Sequence, residues 1–169
     1  MALLCEVGLL NMPSSPTAST HYDVGFVPKV LIFFSALTPT GDGSGAHSYK
    51  VLGFATAADD QGSISHFLEN GGSGGVSHGQ ENIEFRDAGT AKACYFAEDV
   101  ADAGLVANAD FLSFDTGPDG FSLDWDTVIG AGTEDVHWMA LGGDITNAKL
   151  ITQAHPTVTG NKAYTGVGF

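Results

Sequence analysis

A chain of 169 residues and 17.5 kDa has room for one well-buried domain and too little for two. Twenty acidic against six basic residues leave a net charge of −14. This excludes a nucleic-acid binder and a protein that docks on anionic membrane, since both need clustered cations. With 43% hydrophobic residues the chain is no disordered acidic tail, and 23 glycines with six prolines suit many turns and short strands.

The start, Met1-Ala2-Leu3-Leu4-Cys5, is apolar but has no basic residue before Lys29, so it reads as a mature strand over Leu3 to Leu10 and not as a secretory signal. His21 to Phe26, Lys29 to Ser35 and Tyr49 to Ala55 follow as strands. The densest apolar run, Val30-Leu31-Ile32-Phe33-Phe34, has strand length and falls far short of the roughly 18–20 residues of a membrane helix. Clusters at Pro13 to Pro16, Thr38 to Gly45 and Gly71 to Gly75 punctuate these segments as turns. Ala55 to Asn70 is the best helical window, but Gly62 and several β-branched or hydroxyl residues interrupt it. The Gly71 to Gly75 run reads as a surface loop, because the strands on either side would lack partners if they folded separately.

Ala91 to Glu98 and Ala109 to Asp115 are further strands. Phe121-Ser122-Leu123-Asp124-Trp125-Asp126 alternates, with Phe, Leu and Trp on one face and Ser and two Asp on the other. Asp119-Gly120 reads as the hairpin turn before it. Val136 to Leu141 is apolar on both faces, which predicts a central strand. Strands at this spacing with Gly-rich turns predict an all-β fold, an antiparallel two-sheet β-sandwich of jelly-roll type. Its expected core holds Phe26, Phe33, Phe111, Phe121, Trp125 and Trp138. Cys5 and Cys94, both in apolar strands, are expected as buried free thiols.

Tyr164-Thr165-Gly166-Val167-Gly168-Phe169 echoes Tyr22-Asp23-Val24-Gly25-Phe26, and a Pro-Thr pair precedes each (Pro156-Thr157 and Pro16-Thr17). Phe26 and Phe169 are 143 residues apart, a domain-sized period. The expectation is a single β-sandwich over 1–160, with 161–169 opening a second repeat unit. An apolar strand edge there would pair with another chain and make the protein a homo-oligomer.

Chemical motifs are weak. Asp115-Thr116-Gly117 is the aspartic-protease tripeptide, but that chemistry needs two carboxylates sharing a proton and the tripeptide occurs once. It reads as turn chemistry. Asp115, Asp119, Asp124 and Asp126 could supply hard oxygens to a structural calcium ion, but their spacing is not that of a calcium loop, and a solvated acidic face is the expectation. His21, His47, His66, His78, His137 and His155 are scattered without metal-ligand spacing. Gly41 to Gly45 lacks the Lys of a phosphate loop. No enzyme, catalytic residue, metal site or cofactor is therefore expected. Ala93 to Ala148 carries eleven acidic residues and no Lys or Arg, a face that keeps a protein soluble at high copy number.

Three stretches carry a resemblance: Val24 to Phe34, Asp119 to Trp125, and His137-Trp138-Met139-Ala140-Leu141-Gly142-Gly143. In that order, over roughly residues 20–145, they resemble a β-rich module, sometimes in tandem, of structural proteins of tailed bacteriophages. The resemblance implies a non-enzymatic virion protein, in capsid decoration, tail or fibre, that contacts other virion proteins. The alternative is a carbohydrate- or receptor-binding module for a host-surface glycan, with Tyr49, Tyr95 or Trp138 as its stacking platform.

Overall fold

The computed structural model describes residues 2–37, 47–70, 79–86, 92–97, 105–117, 119–128 and 135–148. Every regular element among them is a strand. β1 (Leu3–Asn11), β10 (Asp135–Gly143), β3 (Pro28–Leu37), β4 (His47–Ala57), β5 (Asp60–Asn70) and β6 (Gly79–Arg86) form a six-stranded sheet in that order. β2 (Thr17–Asp23), β9 (Asp119–Val128), β8 (Leu105–Thr116) and β7 (Cys94–Ala97) form a four-stranded one. Every described pairing is antiparallel. The protein is thus all-β, a two-sheet sandwich. The pairs β1–β10 and β2–β9 are nested in opposite sheets, as in a jelly roll. Inside that frame β3 to β6 run as one meander and β7 to β9 as another.

The core fills the space between the sheets because the strands alternate. Phe33 and Leu31 of β3, Val136, Trp138 and Ala140 of β10, Phe121, Leu123 and Trp125 of β9, and Phe111 of β8 are all buried. Phe33 and Trp138 both meet the ring of Phe121 edge-on, at 5.8 and 5.6 Å between centroids. Of the six expected core aromatics, Phe26 alone is half-buried, packed against the cluster from its rim.

The Val24 and Gly25 N–H groups both donate to the Asp119 carbonyl, at 3.0 and 3.2 Å, where the chain passes from β2 to β3. Gly25 has φ 83°, a left-handed conformation that costs a side-chain-bearing residue energy. Gly53 of β4 serves close approach instead: a Cβ there would run into the Ala93 carbonyl oxygen.

The window 55–70, interrupted as a helix in the sequence, is the β4–β5 hairpin, turning at Ala58-Asp59, with Gln61, Ser63 and Ser65 alternating inward. Two expectations are corrected. Thr116 pairs with Asp119, so Asp119-Gly120 already belongs to β9 and the reversal falls before it. Cys94 is buried, but Cys5 is exposed, because it stands on the outward side of edge strand β1. β10 does lie between two strands, yet its His137 side stays open. The 161–169 segment and its repeat signal lie outside the described residues.

Candidate functional site

The outer faces of the two sheets have opposite chemistry. The four-stranded sheet presents Asp23 of β2, Asp110 and Asp115 of β8, and Asp124 and Asp126 of β9, because each stands next to an apolar residue that packs inward (Tyr22, Phe111, Phe114, Leu123 and Trp125). Two basic side chains, His21 and Lys92, sit among them. His21 Nδ1 lies 2.6 Å from Asp115 Oδ2 and its Nε2 lies 3.1 Å from Asp23 Oδ1. Ser122 Oγ and Ser113 Oγ each donate to Asp115 at 2.6 Å. The Asp115 hydrogen bond is the main force raising the His21 pKa above 6.5, against burial. Burial alone would raise the Asp115 carboxyl, but the bonds from Ser113, Ser122 and His21 together hold it below the usual range.

Lys92 is the second basic side chain. Its Nζ donates to Asp110 Oδ2 at 2.7 Å and also to Asp126. Burial works against its charge, and the two carboxylates outweigh burial, so its pKa is raised. The Lys92 bond holds Asp126 below the usual carboxylate range, while burial pushes Asp110 up.

These geometries decide what the cluster can do chemically. Both ring nitrogens of His21 face carboxylates, so neither is free to take a proton from a substrate. Asp115 is bonded to two hydroxyls and an imidazole. The four calcium candidates do not converge. Asp115 pairs in register with Gly120, and Asp124 stands four residues further along β9, about 13 Å away at strand rise. Among the described residues no group of three or more His, Cys, Asp or Glu is placed to hold a metal ion. The run Gly71-Gly72-Ser73-Gly74-Gly75 has Gly-x-Ser-x-Gly spacing and lies outside the described residues; it connects two antiparallel strands, β5 and β6, whereas a nucleophile elbow joins a strand to a helix.

A shallow cleft of about 250 Å³ lies between Lys29, Thr56, Phe114 and residues 145–148. Lys29 Nζ donates to the Gly143 and Ile145 carbonyls at 2.8 and 2.6 Å, so its charge ties down the chain after β10. The proposed stacking platform is not assembled: Tyr95 and Trp138 are both buried, and the Tyr49 side chain lies outside the described residues.

The six-stranded sheet presents the contrasting face. Register sets Leu9, His137, Phe34, Leu52 and Ile64 in one row across five strands, and Val7, Met139, Ile32, Phe54 and Gly62 in the next. All point away from the core. Val7 is 63% exposed, Leu9 52%, Phe34 42% and Leu52 41%. Phe34 stacks on His137 with ring centroids 5.4 Å apart. Neither row contains Asp or Glu. The continuous run Val30 to Phe34 was the sequence signal for this face, since it puts apolar side chains on both sides of β3.

No family model, curated protein or solved structure matches this chain.

Proposed function

We propose that this protein is a non-enzymatic structural component of a virus particle, a capsid-decoration, tail or fibre building block with the virion as its location. The observation that carries the proposal is the two-faced sandwich: one outer face apolar over five strands, the other acidic and internally ion-paired. An apolar face of that width marks a contact surface of the kind an assembly covers. The acidic face keeps assembled copies soluble. Asp23 and Asp115 are bonded to His21, and Asp110 and Asp126 to Lys92, pairings that also support a structural role. The resemblance to tailed-phage modules supplies the kind of assembly.

Quantitative mass spectrometry of purified particles tests this. The expected result is this chain at many copies per particle, in fixed ratio to a major capsid or tail protein. Its absence from purified particles would overturn the proposal, as would a hydrolytic activity of the pure protein lost on Asp115→Asn.

A further inference from the structure

We propose that the outer face of the six-stranded sheet is the contact between two copies of this chain, packed sheet against sheet; this rests on the reading of the protein as a building block and adds the surface and the partner. Two outward rows across five strands, with Cys5, Leu141 and Val30 beside them, give an apolar band of roughly 400 Å² in plan at about 4.8 Å between strands and 3.3 Å rise per residue. That lies within the size of the largest apolar patch of an ordinary monomer, about 300–600 Å², which is commonly a contact surface.

Charge selects a second copy as the occupant. A chain of net charge −14 repels its own kind over most of its surface. The two rows through Leu9 and Val7 hold no carboxylate, so this is where two copies meet without apposing like charges. The acidic faces then lie on the outermost sheets of a four-layer stack. At about 10 Å per layer they are at least 30 Å apart, about three screening lengths in 0.1 M salt. A two-fold contact apposes the same face of both partners, so the apolar rows from β1 to β5 would meet their own copies. Cys5 stands on the outward side of β1, opposite Leu141, and such pairing covers it.

The experiment is sedimentation equilibrium of the full chain, with the rate at which Cys5 reacts with a small disulfide reagent as a local readout. Cys94 is fully buried and does not compete. The expected result is a dimer whose Cys5 is protected and becomes reactive on dilution. Val7→Glu, and separately Phe34→Glu with Leu52→Glu, should weaken the dimer by at least about a hundredfold and unmask Cys5, since each buries a carboxylate at the contact. These side chains are exposed in the single chain, and unchanged tryptophan emission verifies that the variants fold. Leu112→Asp, on an exposed apolar residue of the four-stranded sheet, should leave the dimer intact. A wild-type monomer at 100 µM with reactive Cys5 overturns the pairing, whatever else covers the face. So does a dimer that survives Val7→Glu and Phe34→Glu/Leu52→Glu. If the chain is monomeric in solution yet abundant in particles, the pairing fails and the building-block proposal stands; a dimer absent from particles gives the reverse.

Discussion

Asp115 reads as turn chemistry in the sequence, and in space it is also the hub of a hydrogen-bond network. Its carboxylate collects bonds from β2, β8 and β9, so it holds the acidic sheet together across three strands. Because the folded His21 pKa is raised above 6.5, His21 contributes stability that is fully present below pH 6.5 and is lost as pH rises through the folded value. Because Asp115 is lowered below 3.8, its contribution is present above pH 3.8 and is lost as pH falls through the folded value. The pair therefore stabilises most between about pH 4 and 6.5. Asp115→Asn should lose about 1–3 kcal/mol at pH 5.5 in urea denaturation and flatten the fall in stability between pH 6 and 8. An unchanged slope would show that the pair is not formed. Trp125 is the opposite case, plain from the sequence. It is fully buried, and its indole N–H donates to the Tyr22 hydroxyl at 3.1 Å. Trp125→Ala should cost about 3–5 kcal/mol, and the native protein should emit at short wavelength and resist quenching by iodide.

At the scale of elements, strand identity was legible and strand ends were less so. The apolar alternation in Phe121 to Asp126 is a local property of the chain, and β9 obeys it. The β8–β9 reversal was misplaced because Asp119-Gly120 has turn chemistry, whereas the register is decided by cross-strand packing along the whole ladder. A bulge in β8 after Phe111 had no sequence signal at all. It turns the Phe111 backbone toward the other sheet, where Gln61 of β5 replaces a strand partner: the Phe111 N–H donates to Gln61 Oε1 at 2.8 Å, and Gln61 Nε2 donates to the Phe111 carbonyl at 3.3 Å. Gln61→Leu keeps the volume and strands both backbone groups in the core, each at about 1–3 kcal/mol. We expect a lower urea midpoint and faster hydrogen exchange at the Phe111 amide; exchange at the native rate would refute the link.

For the whole molecule, the governing contrast is between an apolar and an acidic outer face on one sandwich. If copies join through the apolar face, charge only opposes the association. Raising salt from about 0.02 to 0.5 M cuts the screening length from roughly 20 to 4 Å, so the dimer should tighten, as read by sedimentation. A dimer that dissociates in salt would mean that ion pairs hold it.

Composition and alternation were enough for an all-β sandwich and for most of its aromatic core, because burial of one face is written into residues two apart. They were enough, too, for an acidic surface over the C-terminal half. They could not place Cys5 outside, since an apolar strand looks the same at an edge as in a centre. Nor could they bring His21 to Asp115, 94 positions on, or set Leu9, Phe34 and Leu52 in one outward row. Those meetings depend on which strand lies beside which, and that order is settled by how the two sheets pack as a unit.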